Sequence, residues 1–228
     1  MIVAQYLTAV IVGYLLGSIP FGLLIAKQTA NVDVRKFGSG KTGATNVMRT
    51  AGKKAAAVAA ILDLSKGALA VLFAGLIVGN SYLVVGSFGL GSILAQVLAA
   101  AAAVAGHNWS VFLKFRGGSG VATFFGGLIA LCPVVALFGG EIIIIGASLT
   151  RFASIGSIAG VVGTYAILVP LTVLNGFPLE YLVYAMLGTF MVIVMHRGNI
   201  ARLITGKERK LGEKAEKLTV PPSEESKG

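Results

Sequence analysis

The chain has 228 residues, 56% of them hydrophobic and 12% charged, with 31 glycines, one cysteine and a mean hydropathy of +0.86. Soluble domains carry about 25% charged residues, so an ordinary water-soluble globule and a disordered chain are both excluded. The net charge of +10 takes its meaning from where the basic residues fall, and with Cys132 alone in an apolar run there is no disulfide framework and no cysteine metal cluster.

The first apolar run, Ile2 to Ala26, has no charged leader and no small-residue cleavage site followed by a polar chain. It is expected to be one retained helix. A basic loop follows and reads Arg35-Lys36-Phe37-Gly38-Ser39-Gly40-Lys41-Thr42-Gly43-Ala44-Thr45-Asn46-Val47-Met48-Arg49. Glycines that admit close backbone approach, hydroxyls that donate and cations that neutralise are together what a phosphate needs. Gly40-Lys41-Thr42 fits the end of a nucleotide-binding P-loop, but Arg35 occupies the first required glycine and no buried strand precedes it, which argues against an ATPase.

Further spanning runs are expected at Ala55 to Gly79, Tyr82 to Ala105, Ser154 to Leu174 and Tyr181 to Met195. Asp63 and Lys66 lie three apart inside the first of these. Ionisable groups at membrane depth are costly and usually paired, so these two are read as a mutual support for the basic loop. Between the spans lies a second polar loop, Gly106-His107-Asn108-Trp109 and then Phe115-Arg116-Gly117-Gly118-Ser119-Gly120-Val121-Ala122-Thr123. A glycine run entering a helix directs unpaired N–H groups and the positive end of the helix dipole at an anion. The third polar segment, Met195-His196-Arg197-Gly198-Asn199-Ile200-Ala201-Arg202-Leu203, places His196 and Asn199 at i and i+3, on one helical face. A Pro/Ser/Glu/Lys-rich end from about Leu218 reads as a disordered tail. Glu141, in the stretch Val121 to Thr150, has no evident local partner.

Charge sets the topology. Of 19 basic residues, seven lie between Lys27 and Lys54 and eight between Arg197 and Lys227. Loops rich in Lys and Arg stay cytoplasmic, so an even number of crossings must separate the two clusters. Four runs supply four, and Val121 to Thr150 must supply none or two; a helical hairpin is expected there, broken near Cys132-Pro133 because proline suits the first turn of a helix, with Gly139-Gly140 the weaker break. Its first half, Gly120 to Leu131, would be only about 18 Å long. The expected fold is an all-α integral membrane protein, a seven-helix transmembrane bundle with the N-terminus outside and the C-terminus cytoplasmic. Residues 1–210 are expected to form the membrane domain and 211–228 a polar, disordered cytoplasmic tail. The outer turns near Asn80-Ser81, Cys132-Pro133 and Asn175 to Glu180 carry no Lys or Arg, and small-residue pairs such as Gly13-Gly17 and Gly156-Gly160 suit close helix packing.

Three basic segments thus bring Gly, Ser, Thr, Asn, Arg and Lys toward a membrane-embedded bundle without a nucleophile–base set or a metal cluster. What fits is a site that binds phosphorylated groups beside lipid, as an enzyme joining an anionic soluble substrate to an acyl chain requires. A small-anion or phosphate-ester transporter shares broken helices and intramembrane charges, although the outer turns here offer no cation to receive an anion.

The motifs Gly-Ser-Gly-x-x-Gly-Ala-Thr-Asn-x-x-Arg at Gly38 to Arg49, Asp-x-x-Lys-Gly at Asp63 to Gly67, Gly106-His107, Phe-Arg-Gly-Gly-x-Gly-Val-Ala-Thr at Phe115 to Thr123 and His-Arg-x-Asn-Ile-x-Arg-Leu-x-x-Gly-x-Glu at His196 to Glu208, with Tyr14 to Gly22 in the first helix, resemble the bacterial acyl-phosphate:glycerol-3-phosphate acyltransferase family (PlsY), in order from Tyr14 to Lys210. The resemblance implies transfer of a fatty acyl group from acyl phosphate to the 1-hydroxyl of sn-glycerol 3-phosphate, giving lysophosphatidate and phosphate. It implies a multi-pass protein of the bacterial inner membrane with its site facing the cytoplasm, no cofactor or metal, no nucleic acid and no obligate protein partner.

Carried over by motif position, Ser39, Arg49, His196 and Asn199 are the expected catalytic residues. Gly38, Gly40, Lys41, Gly43, Thr45, Asn46, Arg116, Gly117, Gly118, Ser119, Gly120 and Ser154 are the expected substrate-binding residues, and Asp63, Lys66 and His107 the expected supports. Two departures stand out: Lys41 where the family usually has Asn, and Ser119 where it usually has Lys; Ser110, often Pro, is milder. Lys41 is expected to restore the cation missing at position 119 from across the site, the alternative being a paralogue with altered activity. The hydroxyl proton is expected to leave to a substrate phosphate oxygen, with His196 as the competing base.

Overall fold

A computed structural model of the chain describes residues 2–85 and 88–218. They form ten α-helices and one small hairpin. The first apolar run is not one helix: α1 (Ile2–Ser18) and α2 (Phe21–Ala30) are separated at Ile19-Pro20, where proline, lacking an N–H and holding its own φ, interrupts the ladder. A loop with a 3-10 turn at Val34–Lys36 leads to the short α3 (Ala44–Ala51) and the long α4 (Lys53–Val78).

The run expected as a helix from Tyr82 to Ala105 is only partly helical. Leu83–Val85 (β1) and Phe88–Leu90 (β2) pair antiparallel, Leu83 opposite Leu90, and α5 starts at Ser92 and runs to Asn108. β-branched valines favour extended backbone, and glycines at 89 and 91 weaken a helix. The helix expected there is thereby cut to 17 residues, about 25 Å. Then come α6 (Val121–Leu131), α7 (Pro133–Thr150), α8 (Ala153–Asn175), α9 (Leu179–Met195) and α10 (Arg197–Ile204). The break between α6 and α7 falls at Cys132, with Pro133 in the first turn of α7, and Gly139-Gly140 lies inside that helix.

Among the described residues, four stretches are long and apolar enough to cross a membrane, namely Ile2–Ala30, Lys53–Val78, Pro133–Thr150 and Ala153–Asn175. Leu179–Met195 with Arg197–Ile204 makes a fifth if that pair, bent by 58°, is one span. The perimeter is apolar: Leu7, Ile11, Leu72, Leu76, Leu149, Leu174 and Phe190 are all exposed, an arrangement that only lipid contact makes favourable. Glu141 is exposed on α7, with no ion-pair partner among the described residues.

Small residues bring the helices together. A Cβ on Gly13 or Gly17 of α1 would lie 2.3 or 2.0 Å from the carbonyl oxygen of Ala99 or Ala103 of α5, and Gly156 and Gly160 of α8 press on Ile143 of α7 in the same way. The centre of the core is Phe124, Leu128, Val161, Leu168 and Tyr184. Tyr184 stacks on Phe124 and satisfies its hydroxyl by donating to the Phe124 carbonyl at 2.9 Å, as a buried phenol must.

The tail expected to be disordered from 211 is held as far as Leu218. Leu211 N donates to Arg151 O, Ala215 N to Arg49 O and Leu218 N to Lys36 O, while Gly38 N donates to Glu216 O. Four cross-chain backbone bonds offset the loss of chain entropy that composition alone predicts would prevail. The remainder of that tail, 219–228, lies outside the described residues.

Candidate active site

Residues of α3, α4, α6, α7, α8 and α10, with the loops before α3 and α6, surround a cavity of about 680 Å³. Its lining has two characters. At one end stand Ser39, Lys41, Thr45, Arg49, Ser119, Ser154, His196, Asn199 and Glu208; running away from them are Leu64 of α4, Val121, Phe125 and Ile129 of α6, and Ala136, Gly140, Ile143 and Ile144 of α7.

Helix direction concentrates positive potential at the polar end. The opening residues of α3 (Ala44, Thr45), α6 (Val121, Ala122) and α8 (Ala153, Ser154) line the wall, and Asn199 sits in the first turn of α10. Each such terminus offers N–H groups without intrahelical acceptors and the positive end of a dipole.

The first loop is wound around Asn46. Its Nδ2 donates to the carbonyls of Val34, Phe37 and Lys41 at 2.9 to 3.1 Å, and its Oδ1 accepts from Ser39 N at 3.3 Å. That side chain is fully engaged and 2% exposed, so Asn46 shapes the loop, and a direct hold on substrate, as the sequence suggests, would have to break this set. Gly38 and Gly40 take left-handed backbone at φ of +57° and +69°, which only glycine adopts without strain. Their N–H groups go to Glu216 O and Phe37 O, so they make the turns and do not line the cavity.

Arg49 bridges loop and tail. Its Nη2 donates to the carbonyls of Arg209 and Lys210 at 3.0 and 3.3 Å, while its buried Nε finds no partner among the described residues. A buried guanidinium N–H left open is costly unless something fills it, and an anion in the cavity would. The Lys41 ammonium reaches across the site, donating to Ser119 Oγ at 3.2 Å and to the Met195 carbonyl. Burial pulls its pKa down to about 8, with Arg202 and Arg197 pushing the same way and Glu208 opposing.

The second glycine loop is seated differently. Gly117 N and Gly118 N donate to the carbonyls of Asn108 and His107 at the end of α5. A Cβ at Gly117 would stand 2.0 Å from the His107 carbonyl, and one at Gly118 2.0 Å from His107 Nε2. These amides are therefore used inside the protein, contrary to the expected substrate contact. Ser119 and Gly120 do line the cavity; Arg116 is exposed and outside it.

Beneath this second loop, and not beneath the first as the sequence suggests, Asp63, Lys66 and His107 form a buried cluster. Lys66 Nζ lies 2.8 Å from Asp63 Oδ1, 2.9 Å from His107 Nδ1 and 3.0 Å from the Ile19 carbonyl, with all three side chains buried. Asp63 and His107 also reach the cavity wall.

On the opposite side His196 Nδ1 donates to the Val192 carbonyl at 2.8 Å, which places the proton of the neutral ring there and leaves Nε2 as the acceptor. Glu208, quoted in a motif but given no role from sequence, is a hub: its Oε1 accepts from Ser154 Oγ at 3.1 Å and Asn199 Nδ2 at 2.7 Å, and its Oε2 from Arg202 Nε at 2.7 Å. The signal for it was its place four residues after a helix end carrying a basic residue. The apolar half of the cavity had no sequence signal, since its residues are indistinguishable by composition from lipid-facing ones.

Residues 7–206 match the family model described as glycerol-3-phosphate acyltransferase. A protein of Dehalococcoides mccartyi (strain CBDB1) named glycerol-3-phosphate acyltransferase 3 is 62% identical over 215 residues, covering 94% of this chain and all of that protein. One of Thermus thermophilus, named glycerol-3-phosphate acyltransferase, is 43% identical over 206 residues, covering 90% and 95%. The fold is similar to crystal structures of PlsY (YgiH), an integral membrane glycerol 3-phosphate acyltransferase. Its glycerol 3-phosphate form gives a TM-score of 0.78 at 37% identity, covering 91% of this chain and 96% of that one, and its lysophosphatidic acid form gives 0.76. The chain belongs to the glycerol-3-phosphate acyltransferase family and is an integral membrane protein.

Proposed function

From membership of that family, we propose that this chain takes a fatty acyl group from acyl phosphate to the 1-hydroxyl of sn-glycerol 3-phosphate, releasing lysophosphatidate and inorganic phosphate. The carrying observation is the two-part cavity, cationic with helix N-termini at one end and apolar along α6 and α7 at the other. An acylated anion and a soluble anion meet only in such a space.

In this reading Lys41, Arg49, Ser39, Ser119 and the opening turns of α3 and α6 hold two phosphate groups that would otherwise repel one another, and the open Arg49 Nε takes one of them. Ser154 and Asn199, set by Glu208, and His196 Nε2 orient the glycerol. The 1-oxygen bonds to the acyl carbonyl carbon, the bond from that carbon to the phosphate oxygen breaks, and the hydroxyl proton leaves to a phosphate oxygen. Phosphate is a good leaving group, so orientation and charge stabilisation suffice. The contact between Lys41 Nζ and Ser119 Oγ supports compensation: the first loop delivers an ammonium to the second loop.

The topology that goes with this mechanism has seven crossings, α6 being the short one, with the cavity opening to the cytoplasm at the inner membrane of a bacterium. Residues through Leu218 complete the catalytic domain. The test is purified protein in detergent given acyl phosphate and glycerol 3-phosphate. Phosphate release that needs both substrates is expected; release that ignores glycerol 3-phosphate, or none, would overturn the assignment.

A further inference from the structure

Two adjacent glycines of α7 have opposite surroundings. A Cβ at Gly139 would stand 2.2 Å from Thr164 Oγ1 and 2.9 Å from Phe125, so packing against α8 and α6 demands its absence; a Cβ at Gly140 would meet nothing within 4 Å. Gly140 does not have the positive φ that would call for glycine, and a glycine within a helix is less stable than an alanine there. Neither backbone geometry nor packing accounts for it. Its place does: Gly140 lines the apolar half of the cavity, on the same stripe of α7 as Ala136, Ile143 and Ala147.

That stripe grades in size. Nearest the polar end come Ala147 and the isoleucines at 143 and 144, and beyond them the floor drops to Gly140 and Ala136, facing Phe125 and Ile129 of α6. Gly140 lies seven residues from Ala147, about 10.5 Å along the helix. With C–C bonds of ~1.5 Å an extended alkyl chain advances roughly 1.3 Å per carbon, so an octanoyl chain ends near this level and a hexadecanoyl chain continues past it.

We propose that Gly140 sets acyl-chain length: its missing side chain is the notch through which a long chain passes between α6 and α7 into the deep half of the groove. The inference rests on the acyltransferase reading of the cavity. The specificity it describes belongs to the acyl half of the substrate and not to the phosphates.

The experiment compares kcat/KM for octanoyl and hexadecanoyl phosphate in the wild type, Gly140→Ala and Gly140→Leu, with the lipid-facing Leu137→Phe as control. Filling the notch should lower the hexadecanoyl value roughly tenfold in Gly140→Leu, on the scale of a methylene-sized misfit in a pocket. The octanoyl value should move less than twofold, Gly140→Ala should fall between, and the control should not change. Equal loss for both chains, or no loss for either, overturns the proposal. Should Gly140→Leu not accumulate folded, Gly140→Ala, whose methyl enters open space, carries the same comparison. A wild type inactive on both donors would instead overturn the acyltransferase reading, a result distinct from an unchanged chain-length ratio.

Discussion

The two glycine-rich loops look alike in sequence and are used in different ways. The first, around Gly38 to Gly43, is wound about the Asn46 amide and latched to the segment 215–218; it brings two cations, Lys41 and Arg49, to the cavity. The second, Gly117 to Gly120, is pressed onto the end of α5 so tightly that side chains at 117 and 118 would collide with His107. It contributes a hydroxyl and the opening turn of α6. In both, several of the glycine amides that sequence offers to a phosphate are already spent on the protein, so the proposed function assigns anion capture to side chains and helix ends. A glycine run beside a binding site can be there to let a wall stand close, not to wrap the ligand.

The sharpest break between the loops is at Arg49, since nothing in the second loop duplicates it. Arg49→Ala removes a cation from the cavity and the two donors that hold residues 209 and 210. A loss of about 10²–10³ in kcat/KM is expected, the scale of removing one charge-stabilising donor, and Arg49→Lys should recover little because a single ammonium cannot reproduce the fork. Steady-state phosphate release measures it.

A milder test sets glycine against glycine. Gly118→Ala forces a Cβ onto His107 and should destabilise the protein by about 1–3 kcal/mol with a lowered melting temperature. Gly43→Ala, with nothing within 4 Å of the added methyl, should melt close to the wild type. Equal effects at the two sites would erase the distinction between the loops.

The smallest expected effect concerns the contact that joins them. Lys41 carries its charge below a pKa of about 8 and loses it above, whereas a phosphate monoester, with its second pKa near about 6, stays dianionic. KM for glycerol 3-phosphate should therefore rise as pH climbs through 8. Lys41→Asn should raise KM several-fold at neutral pH and flatten that rise, and adding Ser119→Lys should restore affinity. A pH profile unchanged by Lys41→Asn would show that the ammonium does not bind the anion.

Much of this was legible beforehand because lipid imposes strong rules. The apolar helices at Lys53–Val78, Ala153–Asn175 and Leu179–Met195 followed from apolar length, and Pro133 announced the break between α6 and α7. The hairpin at Leu83–Leu90 escaped because Val, Leu and Phe serve a strand or a span equally well. In the site, residue types at motif positions pointed to Ser39, Arg49, His196 and Asn199, which the fold does gather. What sequence could not separate was contact with the cavity from support behind it: Gly117 and Gly118 stand in the same motif as Ser119, and Asn46, though it lines the cavity, spends its side chain on the loop backbone. Glu208 was missed because one carboxylate among cations reads as charge balance.

The segment 205–218 returns to the first loop after some 160 intervening residues, through Arg49 to the Arg209 carbonyl. Contacts so distant along the chain form late. The cationic loop is therefore made early and waits, through the insertion of every later helix, for the segment that latches it. During that wait its lysines and arginines have another use, because basic loops resist translocation. In the proposed topology the charges assigned to phosphate would first act as an anchor, fixing which way the growing protein threads the bilayer.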